Sequence, residues 1–500
     1  MSSLRKVNKN EKKKMMKAGL YIFLLLISFQ SFSENFKQYS PGFNSDSLIT
    51  DSVTDQSKYI INTIGLKGNK KTKDYIIFRE LEFKINDTLS LHQLSILIKE
   101  SRENLLNISL FNFVTIDTTS ILTNDFYRIN IAISVIERWY IWPWPLLEFA
   151  DRNFNTWWKT KDFSKINYGM FLVWDNFRGR MEQLKILTRL GYEEKFGLFY
   201  EIPYINKKQT IGLAFGVSYG RNHEVSVNTI ENNIEYYKDE ESYPEQKFIS
   251  YIQLINRPNI HNTHILYVGY NQYLLGDTLL KINPLYSVDN KTNVKFLSFY
   301  YKYISDYRDY KPYPLNGYYF DIEFNKQGFR MFQPNGLDIS FVNSRFSIYK
   351  KLFNRFYFAS GLTAKFSSKS FQPYFLQRGL GYGNDYIRGY EFYVIDGQNY
   401  GLLKTNLKFE LLPTKILKFN FIKTEKFNII HYAIYLNLFI DLAYVNDDEF
   451  YQNNNLSNSF QYGTGIGIDF VTYYDIVIRF EYSMNKMKET GFFIHFKTSI

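Results

Sequence analysis

The feature that most constrains this chain begins after Glu137: segments of roughly ten residues in which apolar and polar side chains alternate, divided by turn residues, with no amphipathic helical period among them. Alternation puts successive side chains on opposite faces of a strand, so each segment carries one apolar face and one polar face. Leu403, Thr405, Leu407, Phe409 and Leu411 share a face, and Lys404, Asn406, Lys408 and Glu410 take the other. Tyr432, Ile434, Leu436, Leu438, Ile440 and Leu442 oppose Asn437 and Asp441 in the same way. Ile476, Ile478, Phe480 and Tyr482 oppose Arg479, Glu481 and Ser483. Segments begin near residues 139, 166, 181, 194, 209, 247, 263, 293, 316, 337, 355, 401, 430, 460, 475 and 490, an even set of about sixteen, as closed bacterial barrels require.

Alternation alone does not say which face is inside. A soluble sandwich buries the apolar face, whereas a barrel in a bilayer turns it to lipid and keeps the polar face in a wet lumen. Strand length, aromatic load and an export signal together favour the barrel over the sandwich. Aromatic residues make up 19% of the chain, with Tyr 43 and Phe 46, as strands and interfacial girdles require. The first 33 residues read as a secretory signal peptide: a basic start, an apolar run from Ala18 to Phe29, then small residues before Glu34, with Met1, Met15 or Met16 as the true start. That apolar run is about twelve residues, short of the roughly twenty a spanning helix needs.

The leader also supplies much of the net charge of +11, through Arg5, Lys6, Lys9, Lys12, Lys13, Lys14 and Lys17. Later stretches lack the clustered Lys and Arg of a phosphate-binding face, so nucleic acid is not an expected partner. With Cys 0, disulfides, zinc-thiolate sites and a lipid-modified cysteine are excluded. Residues 34–57 are polar, carry Pro41-Gly42 and read as a linker.

Residues 58–137 have the pattern of a small α+β domain. A strand runs from Tyr59 to Leu66, a helix from Lys73 to Leu81 behind Thr72 as cap, and a second helix behind the capping box Ser90-Leu-His-Gln93. This second helix carries Leu91, Leu94, Ile98 and Leu105 on one stripe and ends near Asn107. Strands are expected next at Phe113–Asp117 and Phe126–Ile136. The β-α-α-β-β order, with Gly68-Asn69-x-x-Thr72, Arg79-Glu80-Leu81 and Leu110-Phe111-x-Phe113-Val114, is similar to one polypeptide-transport-associated (POTRA) domain.

From Ser370 to Tyr400 the alternating region is interrupted by a stretch too long and too glycine-rich for a hairpin turn. Counting strands from an N-terminus at the turn end makes it the sixth long loop, between strands eleven and twelve. Its Ile387-Arg388-Gly389-Tyr390 core resembles the conserved loop signature of outer-membrane assembly barrels of the BamA/TamA type, in which this loop folds back into the lumen. Phe439-Ile-Asp441-Leu-Ala443 resembles that family's Phe-x-Asp-x-Gly motif, with alanine in place of the final glycine. A lumen arginine can be gripped bidentately by an inward carboxylate, and Asp441 is the partner expected for Arg388, with Glu481 a second. Gly463, Gly465 and Gly467 share the lumen face of strand fourteen and leave room for loop backbone or a kink. Gly491, Ile494 and Phe496 in the last strand resemble the terminal signal such barrels present for their own assembly, although four residues follow Phe496.

Other motifs carry less. Gly216-Val-Ser218-Tyr-Gly220 matches a nucleophile-elbow pattern but lies in an alternating segment with no helix after it, so no catalytic residue is assigned from it; the chain is not expected to be an enzyme, because the polypeptide insertion that its family resemblance implies makes and breaks no bond. His261-x-x-His264 sits in a turn beside Pro258, and no metal site or cofactor is expected from it. The acidic runs Asp239-Glu-Glu241 and Asp447-Asp-Glu449 read as solvated loop charge. Trp139, Trp142, Trp144, Trp157 and Trp158 read as interfacial belt residues.

The fold class expected is therefore mainly β: a 16-stranded antiparallel transmembrane β-barrel over residues 138–500, preceded by one POTRA domain. The resemblance implies an outer-membrane protein of a Gram-negative-type bacterium with its POTRA domain in the periplasm. It implies insertion or translocation of other polypeptides, with unfolded outer-membrane or secreted chains, outer-membrane lipid and periplasmic accessory proteins as partners. A secretion pore dedicated to one partner protein, and a passive channel or structural barrel, are the alternatives.

Overall fold

The computed structural model describes residues 58–496, apart from 124–125, 150–153, 162–165, 331, 333–335, 369–371, 420–421, 423, 451–453 and 473. The signal peptide and linker expected over residues 1–57 lie outside the described residues.

The small domain holds strands β1 (Tyr59–Lys67), β2 (Thr88–Leu89), β3 (Phe111–Thr123) and β4 (Phe126–Glu137) in the order β2-β1-β4-β3, with helices α1 (Asp74–Arg79) and α2 (Leu91–Asn107). Its core forms because the alternating Ile129, Ile131, Ile133 and Val135 of β4 meet Ile61, Ile76, Ile77, Leu94, Leu105 and Phe111. Ser90 and Gln93 close the capping box that opens α2. Thr72 does not cap α1: the cap position is Lys73, without a side-chain bond. Thr72 is buried instead, its hydroxyl donating to Glu137 Oε1 at 2.8 Å.

Sixteen strands form one antiparallel sheet. In chain order they are β5 (Ile141–Phe149), β6 (Ile166–Phe177), β7 (Glu182–Gly191), β8 (Glu193–Ile202) and β9 (Ile211–Asn222), then β12 (Glu245–Asn256), β13 (Asn262–Leu275), β14 (Asn293–Asp306), β15 (Gly317–Gln327), β16 (Ile339–Phe353), β17 (Phe356–Ser367), β18 (Asn399–Lys418), β19 (Ile429–Asn446), β20 (Gln461–Thr472), β21 (Val477–Asn485) and β22 (Thr490–His495). Every observed start lies within two residues of its sequence expectation. A separate hairpin of β10 (Glu224–Ile230) and β11 (Asn233–Lys238) rises between β9 and β12. Short helices α3 (Phe154–Thr160), α4 (Asp277–Ile282) and α5 (Glu425–Asn428) sit in connections.

The outer face carries the apolar residues. Leu407, Leu411, Leu436, Leu438, Ile440, Ile466, Ile468, Tyr482 and Phe492 are all exposed, while Lys404, Asn406, Lys408, Asn437, Asp441, Arg479 and Glu481 are buried inside. An exposed apolar band of this extent fits lipid and not water. Among the described residues no helix is long and apolar enough to cross a membrane.

The small domain is docked under the turn end of the barrel. Glu80 accepts both Nη groups of Arg257, from the β12–β13 turn, at 2.6 and 2.8 Å. Arg138, just past β4, grips Asp475 of the β20–β21 turn at 2.6 and 2.9 Å. Asn107 donates to the carbonyls of Arg308 and Asp309, and Lys73 N–H to that of Gly179. Gly179 has φ +74° and a Cβ there would fall on the Lys71 carbonyl oxygen, so this close approach requires glycine.

Candidate functional site: a lumen loop beside an unpaired strand edge

The loop between β17 and β18 turns inward and delivers Arg388 to the inner wall, where it is 1% exposed. Its Nε donates to Asp441 Oδ2 at 2.9 Å and its Nη2 to Oδ1, while its backbone N–H reaches the same Oδ2 at 3.0 Å. Nη1 donates to Asn406 Oδ1 at 2.6 Å and stands 3.5 Å from Glu481 Oε1, and Nη2 also donates to the Thr405 carbonyl. The Phe439 ring lies under the guanidinium, 3.8 Å from Cζ to centroid. Three strands, β18, β19 and β21, thus converge on one planar cation, whose charge is fully paired.

The residues around Arg388 shape the fit. Gly389 has φ +92°, and its carbonyl accepts from Asn485 Nδ2 at 3.1 Å. Tyr390 donates its hydroxyl to Gln461 at 2.9 Å, and Ile387 is buried beside Leu402, Ala443 and Val445. The Ala443 methyl is part of that apolar cluster, so the alanine is accommodated where the family motif has glycine. Gly463 permits the approach: a Cβ there would land on the Arg388 carbonyl oxygen. Gly465 faces the Phe439 ring, and Gly467 faces the Glu481 side chain. Sequence reasoning missed Asn406 as a ligand of Arg388, although its lumen parity was readable. It also missed the ion pair of Arg479 with Asp469, made through Nε at 2.5 Å and Nη2 at 2.8 Å, to which Tyr313 adds a hydroxyl at 2.7 Å.

The second part of the site is the seam. No ladder joins β5 to β22 among the described residues, although α3, in the connection after β5, packs on β22. The β5 side shows why. Asp175 N–H donates to the Tyr140 carbonyl, and the register runs on unbroken from Ile141↔Trp174 to Phe149↔Ile166. Even-numbered residues of β5 therefore direct their backbone groups at β6, and odd-numbered ones direct theirs at the seam. Pro143 and Pro145 are odd-numbered. The seam-facing edge lacks two donors that a ladder to β22 would need.

On β22, the backbone of Ile494 faces the same gap and is taken by a side chain. Asn155 of α3 accepts from Ile494 N–H at 3.0 Å and donates to its carbonyl at 3.3 Å. One carboxamide thus replaces one strand residue. Gly491 lies earlier in the same strand, and Phe496, just beyond it, is exposed.

The remaining motifs are structural. Ser218 lies within β9, paired with Ile249 and Gly197 on either side. His261 bonds the Asp306 carbonyl and faces Glu82, while His264 meets Tyr301, so the two histidines have different partners. Asp447 is not solvated loop charge: it is fully buried and accepts from Gln398 and from the N–H groups of Glu449 and Phe450. Trp139, Trp144 and Trp158 are exposed as belt residues would be, but Trp157 is buried.

Residues 59–138 match the POTRA family, described as a surface antigen variable number repeat. A search of curated proteins returns no match. Among solved structures, the chain is similar to BamA from Haemophilus ducreyi lacking POTRA domains 1–3, at 15% identity and TM-score 0.47, covering 88% of this chain and 83% of that one. It is also similar to CdiB from Acinetobacter baumannii, at 11% identity and TM-score 0.43, covering 87% and 73%. CdiB from Escherichia coli gives 9% identity and TM-score 0.45, covering 99% of each chain.

Proposed function

We propose that this chain is an outer-membrane protein of the BamA/TamA type that assists insertion or translocation of other polypeptides. The observation that carries this reading is the seam. A closed barrel satisfies every strand edge, yet among the described residues β5 presents prolines to the gap and the backbone of Ile494 on β22 is met by the Asn155 side chain. An edge held by a displaceable side chain is a template on which an incoming strand can pair. The Arg388–Asp441 bridge fixes the lumen loop beside β21 and β22, so that the seam can open without loss of the barrel's interior. The POTRA domain lies in the periplasm in this reading, where the free edge of β3 is available to an unfolded client. No bond is made or broken, so the protein is not an enzyme.

Depleting the protein and quantifying the outer-membrane proteome tests this. Loss of many barrels supports it, whereas loss of one secreted product alone contradicts it in favour of a dedicated pore, and an unchanged envelope contradicts both.

A further inference from the structure

Beside the Arg388 bridge lies a second convergence of buried groups. His495 of β22, Glu481 of β21 and Glu391 of the lumen loop each offer one ligand atom, and all three atoms lie within 4.8 Å of one another. His495 Nε2 stands 3.2 Å from Glu481 Oε2 and 3.5 Å from Glu391 Oε1. Tetrahedral coordination with bonds of about 2.0–2.2 Å puts ligand atoms about 3.3–3.6 Å apart, so both spacings are close to the edges of a metal polyhedron.

Two further observations point to a bound cation. First, Glu481 is 1% exposed, and neither its Oε2 nor His495 Nε2 makes a contact of hydrogen-bond geometry despite their proximity. Second, the other atom of each ligand group is already held. Glu481 Oε1 faces Arg388 at 3.5 Å and Arg479 at 3.7 Å. Glu391 Oε2 accepts from Gly389 N–H at 2.9 Å. His495 Nδ1 meets the Tyr386 hydroxyl at 3.2 Å, the outer partner that fixes a metal-binding imidazole.

We propose that Glu391, Glu481 and His495 bind a divalent first-row transition ion, with Zn²⁺ as its representative, and so tie the lumen loop to the last two strands. One imidazole nitrogen and two carboxylate oxygens suit such an ion, and a water can complete the shell. The site is independent of the function proposed above, since the tie would hold β22 whatever the barrel carries.

The test uses the full chain in detergent, stripped with a chelator and dialysed against Zn²⁺ at pH 7, with metal measured by mass spectrometry. One Zn²⁺ per chain is expected in the wild type and none in Glu481→Gln or His495→Gln, with folding checked by heat-modifiable gel mobility. Tyr386→Phe keeps all three ligands and should weaken binding about 10–100-fold. Should either ligand variant fail to fold, Tyr386→Phe and the visible spectrum of Co²⁺-loaded wild type decide. The absence of stoichiometric metal in the wild type, which would mean an imidazolium shared by two carboxylates, overturns the proposal. So does retention of metal in folded His495→Gln.

Discussion

The lumen loop and the seam lie within a few residues of each other on β21 and β22, and they are built oppositely. Arg388 is over-determined: it has a bidentate carboxylate, a carboxamide, a backbone carbonyl, a second carboxylate and an aromatic face around one guanidinium. The seam is under-determined: two prolines remove donors on one side, and one asparagine stands in for a strand on the other. A buried charge must be paired or it destabilises the fold, whereas an unpaired edge is tolerated and remains reactive. The contrast separates an interior pinned by a buried charge from an edge whose backbone is met by a side chain.

The largest expected effect breaks the rigid side. Arg388→Ala leaves Asp441 buried without its cation and should destabilise the docked loop by about 3–5 kcal/mol. The loop should then become protease-sensitive and function fall, while heat-modifiable mobility shows that the barrel still folds. Asp441→Ala should do the same, and the double variant should cost much less than the sum; additivity would show that the two do not act as a pair.

Gly463→Ala tests the close approach itself. Its methyl meets loop backbone, not a flexible side chain, so a cost of about 1–3 kcal/mol is expected in thermal unfolding. An unchanged melting temperature would mean that the loop has slack.

Pro143→Val with Pro145→Val addresses the loose side. Two restored N–H groups allow two more bonds across the seam, each worth about 1 kcal/mol. The variant should be more stable and less active, and a gain in both would contradict the role given to the seam.

The smallest effect concerns how the POTRA domain is docked. The hydrogen bond from His261 holds the Glu82 carboxyl below its usual range, and burial opposes this. Burial pulls His261 down, but its bonds to Glu82 and to the Asp306 carbonyl outweigh that and raise it. Arg257 and Arg79, also nearby, act as fixed charges. The His261 contribution is complete below its unfolded value of 6.5 and is lost as pH rises through its raised folded value. The Glu82 contribution is present above 4.5 and is lost as pH falls through its lowered value. Docking should therefore be strongest between those limits and loosen slightly in alkali, by about 1 kcal/mol or less, as followed by proteolysis near residue 138. His261→Gln should flatten the alkaline limb.

The strands of the barrel were legible because alternation is a local signal that sixteen segments repeat. The β10–β11 hairpin escaped because its strands are short and its buried Val225, Val227 and Thr229 face other loops. Thr72 has the chemistry of a cap, and only the folded chain brings Glu137 to it. Glu391, Asn406 and His495 were invisible as a set, since their meeting depends on how the long stretch from Ser370 to Tyr400 folds back. The prolines of β5 were visible throughout, but their meaning required the register that places both on the seam.

The most direct test of the central claim fastens the loose side. The chain has Cys 0, so a cysteine pair at Asn155 and Ile494 can be joined by a short reducible crosslinker without competing thiols. If the β22 edge must be released for a client strand to pair, crosslinked protein should lose insertion or translocation activity and regain it on reduction. Full activity with α3 fastened to β22 would contradict the account.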